Sequence, residues 1–337
     1  MAATVSFNMH GGRSSVSGIK ATVFGCTGFL GSYVVTRLGK IGSTVVLPYR
    51  GDEIYTRKLK PMGDLGQMNT FRMSIRKPED IERAVAGSNV VINLLGHHLE
   101  TSRWKFDDVH VHFPAALAEI CKAQGVDRFI HMSALGSSEN SPSKWLASKA
   151  KGEVVVRESF PGATIIRPST MFGDEDRFLN RMAKLSQTLP FVPLVNADTT
   201  RYQPVYVDDV AAAIMGVLAD PSFKGQTIDL AGPKVYTFEQ LVDFVLKTID
   251  EPPNAFNVPL PVGMLLARVM EVLPDAWITR DLLLRQSQDI VRLEGTGFEP
   301  FEIFPTPIEE IAARYLLRFR KTPMLVDDGK VIKAPTV

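Results

Sequence analysis

Cysteine is scarce in this 337-residue chain, which carries only Cys26 and Cys121. Two thiols build neither a disulfide framework nor a zinc centre, and they fit a reducing compartment. Each by itself reads as a small core residue rather than a reactive group. A surplus of one charge is also lacking: 38 Lys and Arg face 37 Asp and Glu, for a net charge of +1. Chains that work on nucleic acid carry a basic excess, so no nucleic-acid partner is expected. No stretch reaches the run of about 18 apolar residues that a membrane span needs. Residues Met1–Gly18 are rich in Gly and Ser, with Arg13 the single charge apart from His10. They lack both the apolar run of a signal peptide and the Arg-rich pattern of a transit peptide. Two readings stay open here: a cytosolic protein, or a presequence outside this numbering. Internal repeats and low-complexity tracts are missing as well.

What is present is ample apolar material. Hydrophobic residues make up 45% and charged residues 22%, enough for one large α/β domain with a smaller lobe. From Ile19 onward, apolar strands of about five residues alternate with helical patterns. Strands are expected at Ile19–Phe24, Ser43–Leu47, Met68–Met73, Asn89–Leu95, Arg128–Met132 and Ala163–Arg167. Helices are expected at Gly28–Lys40, Pro78–Ala86, Asp107–Gln124 and Lys144–Ser159. This alternation predicts a doubly wound parallel sheet of Rossmann type covered on both faces. After Pro168 the regularity breaks. Tyr202–Val207 should lead into a helix from Asp208 or Asp209, and Thr227–Leu230 should be another strand. Helices at Arg177–Gln187, Phe238–Ile249, Val262–Leu273 and Thr306–Phe319 suggest a smaller, mostly helical lobe. The expected division is an arm over 1–18 and a Rossmann domain over 19–173, completed near 202–231. The lobe takes 174–201 and 232–319, and 320–337 forms a tail.

The most informative segment is Val23-Phe24-Gly25-Cys26-Thr27-Gly28-Phe29-Leu30-Gly31. It follows a strand and opens a helix. Gly25 permits a tight turn, Gly28 lets backbone N–H groups approach a pyrophosphate, and Gly31 lets the helix pack closely on the strand. The helix N-terminus adds partial positive charge. Cys26 reads as a small residue that fits the loop. A ribose-binding carboxylate is expected at the end of the second strand. That stretch reads Pro48-Tyr49-Arg50-Gly51-Asp52-Glu53. A guanidinium at Arg50 matches a 2′-phosphate, which favours NADP(H) over NAD, although Asp52 or Glu53 could reach a ribose.

Short-chain dehydrogenases pair a Tyr with a Lys four residues later on one helix face. The ammonium lowers the phenol's pKa for proton transfer. Here Ser133 follows the fifth strand, and Lys149 lies in Ser148-Lys149-Ala150-Lys151-Gly152-Glu153. The residue four before Lys149 is Trp145. An indole N–H is neither acid nor base near neutral pH. Ser133 and Lys149 remain, and the proton donor is missing.

These residues resemble the extended, atypical branch of the short-chain dehydrogenase/reductase family. Further stretches narrow the resemblance to the accessory subunits of mitochondrial respiratory complex I. They include His10–Gly18, Val46–Arg50, Pro61–Gln67, Ser88–Gly96, Phe172–Asn180, Gln203–Val207 and Trp277–Asp281. The match runs from about His10 to Tyr315. The resemblance implies a matrix-side peripheral protein of the inner membrane, set among other complex I subunits near the quinone-binding region. It implies NADPH held tightly without turnover, in support of structure and assembly. It places Gly25, Thr27, Gly28, Phe29 and Leu30 at the pyrophosphate, with Cys26 and Gly31 in the same cofactor-binding loop, and Arg50 at the 2′-phosphate. Leu94, Leu95 and Gly96 fall on the adenosine side, and Ser133, Lys149 and Pro168 at the nicotinamide end. Two positions depart from the family pattern. Trp145 replaces the Tyr, and Ser74 stands where the third strand usually ends in an acid, which leaves the adenine contacts open. The alternative is an active NADP-dependent reductase or epimerase, which would need another proton donor, such as a water held by Ser133 and Lys149.

Several residues weigh toward structure. His97 and His98 lack further metal ligands and read as loop packing. His110 and His112, two apart on a helix, face different ways. Asp208 and Asp209 read as an N-cap. The apolar helix of 261–273 reads as lobe core, with a bilayer or partner interface as the second reading. Arg314, Arg318, Arg320 and Lys321 read as a solvated face that would also suit anionic lipid.

Overall fold

Short runs of β-branched and aromatic residues form the strands, and longer amphipathic runs form the helices between them. The computed structural model describes residues 7–189, 192–252, 255–271, 278–292, 295–320, 324–327 and 330–333. The order begins β1 (Lys20–Phe24), α1 (Phe29–Lys40), β2 (Thr44–Tyr49), β3 (Met68–Arg72), α2 (Pro78–Val85) and β4 (Val90–Asn93). It continues with α3 (Phe113–Ala123), β5 (Arg128–Met132), α4 (Lys144–Ser159), β6 (Thr164–Pro168), β7 (Met171–Phe172) and α5 (Leu179–Thr188). Then come β8 (Val192–Leu194), β9 (Arg201–Tyr202), β10 (Val205–Tyr206), α6 (Val207–Ala219), β11 (Thr227–Leu230), β12 (Tyr236–Thr237) and α7 (Phe238–Ile249). The chain closes with β13 (Ala255–Asn257), α8 (Leu260–Met270), α9 (Arg280–Gln286), α10 (Ile308–Leu316), β14 (Met324–Asp327) and β15 (Lys330–Lys333).

Seven strands make one parallel sheet in the order β3-β2-β1-β4-β5-β6-β11. Every residue of β4 and β5 is buried, as a strand covered on both faces requires. On one face α1 and α6 pack over β1, β2 and β4 through Leu30, Val34, Leu38, Val210 and Ile214. Each such side chain contributes about 1.5–3 kcal/mol on full burial. On the other face α2 and α3 pack on Phe24, Val91 and Phe129. A second core gathers Leu179, Tyr202, Phe238, Leu241 and Tyr315 under the lobe. The strand order reverses between β1 and β4. A crevice therefore opens beyond their carboxyl ends, the place where such sheets bind ligands.

The fold differs from expectation where proline removes a donor. The single helix expected over Asp107–Gln124 begins as a π-turn, Asp108–His112, and becomes α3 only at Phe113. Pro114 has no N–H for the His110 carbonyl, four residues earlier. Gly152 of α4 moves in against that carbonyl, and a Cβ on Gly152 would lie 2.0 Å from it. Likewise Pro204 splits the expected strand at 202–207 into β9, paired antiparallel to β12, and β10, paired parallel to β7.

Asp208 and Asp209 do not cap α6, because the helix already starts at Val207 with Tyr206 as N-cap. The two carboxylates act sideways from the first turn. Asp208 pairs with Arg37 at 2.9 Å, and Asp209 accepts the Thr306 N–H at 2.7 Å. The basic run is also not simply solvated. Arg318 donates to Asn180 Oδ1 at 2.9 Å and Arg320 to the Thr248 carbonyl at 2.7 Å, while Lys321 lies outside the described residues. Residues 296–303, expected in the lobe, return to the large sheet. Asp229 N–H donates to the Thr296 carbonyl at 2.9 Å, and Phe301 packs 4.8 Å from Phe223. In the expected tail, β14 and β15 pair antiparallel. The last residues expected in the 261–273 helix fall outside the described residues.

Candidate functional site

The loop from β1 to α1 fills the crevice floor. Gly25 has φ +83°, and a Cβ there would come within 3.0 Å of the Leu94 carbonyl, so the loop rests on the end of β4. Gly31 admits no side chain: a Cβ would stand 2.2 Å from the Gly25 oxygen. Gly28 is the N-cap of α1, and it brings no side chain to the free N–H groups of the first turn. α7, by contrast, caps itself with a reciprocal Thr237–Gln240 box. The N-terminus of α1 thus presents unsatisfied donors and the positive end of the dipole to the crevice. The side chains of Cys26 and Leu30 are buried in the core. Only their backbone can face a ligand, and burial pushes the Cys26 thiol up to about 12. The Phe29 ring packs edge-on to Tyr33 at 6.1 Å and against Gly173.

Beyond β2 and β3 lie two adjoining cavities. One, of about 460 Å³, is lined by Tyr49, Gly51, Asp52, Glu53 and Arg72. The other, of about 280 Å³, is lined in part by Arg50, Arg72, Arg103, Ser74, Asp80 and Trp104. Neither acid proposed as a ribose ligand is idle. Asp52 accepts its own loop's Ile54 N–H at 3.1 Å, and Glu53 pairs with Lys60 at 2.8 Å. Asp80 receives the Ser74 N–H at 3.0 Å. Arg50 lies over the Trp104 ring, 5.0 Å from its centroid.

The opposite end is densely bonded. Leu94 continues from β4 with its N–H on the Phe24 carbonyl at 2.9 Å, and the Leu95 N–H donates to Asn93 Oδ1 at 3.1 Å. Gly96, expected on the adenosine side, faces α4 instead: a Cβ on it would sit 3.7 Å from Lys149 Nζ. Lys149 is buried, donates to the Met132 carbonyl at 3.0 Å, and is pushed down to about 8 by desolvation, against the charge of Glu153. One turn further, Glu153 is buried as well. It accepts the Ser133 hydroxyl, the Ser137 hydroxyl at 2.7 Å and Arg167 Nε at 2.9 Å. Ser133 therefore spends its proton inside the protein. Trp145 donates its indole N–H to the His97 carbonyl at 2.7 Å and lies under Arg285 at 4.6 Å. Pro168 ends β6, its carbonyl accepting the Leu135 N–H at 2.9 Å.

The histidines are structural in this arrangement. His97 N–H donates to His110 Nε2 at 3.0 Å, which leaves the proton on Nδ1, 2.8 Å from Ser148 Oγ. Buried His110 and exposed His112 face apart, as their spacing requires. His98 stacks on Trp145 at 6.3 Å.

The sequence profile of the NAD dependent epimerase/dehydratase family matches residues 21–231, the sheet and crevice together. The chain belongs to this family. Its kinship with two named proteins is closer still. It is 44% identical over 313 residues to NADH dehydrogenase [ubiquinone] 1 alpha subcomplex subunit 9, mitochondrial, of Mus musculus, covering 92% of this chain and 83% of that one. It is 38% identical over 315 residues to the NADH-ubiquinone oxidoreductase 40 kDa subunit, mitochondrial, of Neurospora crassa, covering 92% and 82%. Among solved structures, the dTDP-glucose 4,6-dehydratase DesIV of Streptomyces venezuelae superposes with a TM-score of 0.67 at 18% identity. That match covers 89% of this chain and 96% of that chain. At this identity it shows the shared fold.

Within this family frame, the structure brings the loop residues, Leu94–Gly96, Ser133, Lys149 and Pro168 to one crevice, with Arg50 at its far end. Sequence reading did not single out Arg72, Arg103, Trp104, Arg167 or Arg285 as site residues. Glu153 had a usable signal, since it lies four residues after Lys149 on one helix face. The others come from loops and strands whose proximity no spacing announces.

Proposed function

We propose that this chain is a non-catalytic accessory subunit of mitochondrial respiratory complex I that holds one NADPH as a fixed part of its structure. The observation that carries the reading is an open, uncapped phosphate loop beside a nicotinamide end without a proton donor. The bound dinucleotide would supply a hydride at its nicotinamide. The loop would orient the pyrophosphate, and Lys149 would lie near the ribose. No phenol stands ready to deliver the accompanying proton.

NADPH is favoured over NADH because Asp52 and Glu53 are already bonded while Arg50 faces the cavity. Complex I membership draws on the similarity to the two mitochondrial subunits over nine-tenths of this chain. We place the chain on the matrix side of the inner membrane, at the junction of the peripheral and membrane arms near the quinone site. The exposed Val262, Leu265 and Leu266 of α8 would meet lipid or a neighbouring subunit there. Among the described residues, no helix is long and apolar enough to cross a membrane.

The purified chain is expected to yield about one NADPH on acid extraction, as a single Rossmann site predicts. It should not oxidise NADPH with carbonyl acceptors, and in tissue it should migrate with a very large membrane assembly. Trp145→Tyr should leave turnover undetectable, because Ser133 still donates to Glu153 and Arg285 still covers the position. Steady turnover by the wild type would replace this reading with the active reductase or epimerase. A gain in the variant would mean that Trp145 alone silences the site.

A further inference from the structure

Three guanidiniums, those of Arg50, Arg72 and Arg103, line the cavity of about 280 Å³ at the ends of β2 and β3. None of them forms a salt bridge among the described residues. The carboxylate in the wall, Asp80, is occupied by the Ser74 N–H. Such a cluster suits an anion, and the fork of a guanidinium suits phosphate. Arg50 and Arg72 come from neighbouring strand ends. Arg103 belongs to the long loop between β4 and the π-turn, as does Trp104.

Trp104 is the best-anchored member of this group. It is 9% exposed. Its N–H donates to Thr101 Oγ1 at 3.0 Å, and its carbonyl accepts the Thr101 N–H at 2.9 Å, closing a tight turn. Arg76 lies 4.2 Å from the indole centroid and donates to the Arg103 carbonyl at 2.6 Å. Arg50 lies 5.0 Å from the same centroid. An exposed arginine loses rotamer freedom when it grips a phosphate. A stack on a fixed indole removes much of that loss beforehand and holds the fork at the cavity.

We infer that Trp104 is the positioning residue that makes this site prefer a 2′-phosphorylated dinucleotide, acting through Arg50, with Arg72 and Arg103 completing the phosphate shell. This rests on the NADPH reading above and adds to it a determinant from outside the β1–α1 loop and the β2 end. The unphosphorylated nucleotide should be indifferent to the indole, because its ribose hydroxyl needs no guanidinium.

The test is calorimetric titration of the nucleotide-stripped full chain with NADPH and, separately, with NADH. Trp104→Ala should weaken NADPH by about tenfold, the scale of one stacked cation–π contact, and leave NADH within about twofold. Trp104→Phe should recover most of the NADPH affinity. Adding Arg50→Ala to Trp104→Ala should cost much less than Arg50→Ala costs the wild type, since the two act as one unit. Trp104→Leu keeps buried apolar volume without a ring face and serves if the alanine variant fails to fold. Parallel weakening of both nucleotides, or an unchanged preference in a folded variant, overturns the role of Trp104 and leaves the NADPH reading intact. A wild type that binds neither nucleotide, or both equally, overturns both.

Discussion

The two ends of the crevice are built on opposite principles. At the Arg50 end the cations outnumber their partners: Arg50, Arg72 and Arg103 face a cavity and form no salt bridge among the described residues, and the acids nearby are bonded elsewhere. At the Lys149 end the hydroxyl, the ammonium and the indole are already engaged. Ser133 is bonded to Glu153, Lys149 to the Met132 carbonyl, and Trp145 to the His97 carbonyl beneath Arg285. One end presents unsatisfied donors, and the other bonds its polar side chains to the protein itself. Under the proposed function the site would lose its reaction without losing its ligand, because the two tasks draw on different elements. Recognition would use β1, β2 and the N-terminus of α1, and chemistry would use β5 and α4.

The largest expected effect tests the bracing. Arg167→Ala removes the cation from buried Glu153 and should destabilise the fold by about 3 kcal/mol. This is the low end for breaking a buried pair, because the Arg167 side chain keeps 32% exposure. A urea-melt loss below about 1 kcal/mol would place the pair with ordinary surface bridges and blur the contrast. Next comes the recognition end. Gly31→Ala puts a methyl against the Gly25 carbonyl and should cost about 1–3 kcal/mol of overpacking while abolishing nucleotide retention. Retained nucleotide in that variant would mean the loop bends more freely than its backbone contacts imply.

The last effect, absent at neutral pH, is acid sensitivity at the closed end. Burial pushes His131 down from 6.5 to about 3, so the folded state holds it neutral where the unfolded chain takes up a proton. Its Nδ1 lies 3.2 Å from Asn93 Nδ2, and its Nε2 has no partner among the described residues. The stability it contributes is present above pH 6.5 and lost as pH falls from 6.5 toward 3. His131→Phe should flatten that part of a pH series of urea midpoints. An equal slope in wild type and variant would assign the acid lability to other groups.

Much of this was legible beforehand, for definable reasons. The parallel sheet followed from strand–helix alternation, and the phosphate loop from glycines at a strand-to-helix junction. The placing of Trp145 one turn before Lys149 followed from a fixed helical interval. Proline effects at Pro114 and Pro204 were readable in principle, since each lacks a donor at a known offset. The caps at Asp208 and Asp209 were misjudged by two or three residues, because helix starts depend on backbone angles that composition does not set.

The sequence by itself determined the local and periodic features: which segments pair as strands, where the backbone must come close, and that an indole lies one helical turn before Lys149. Tertiary structure alone decided which charges meet. That Arg285 covers Trp145 and that Arg50 lies over Trp104 depends on segments far apart in the chain. Contacts of that kind are set by how elements pack, and side-chain periodicity reports only the face a residue occupies, not what will lie opposite it.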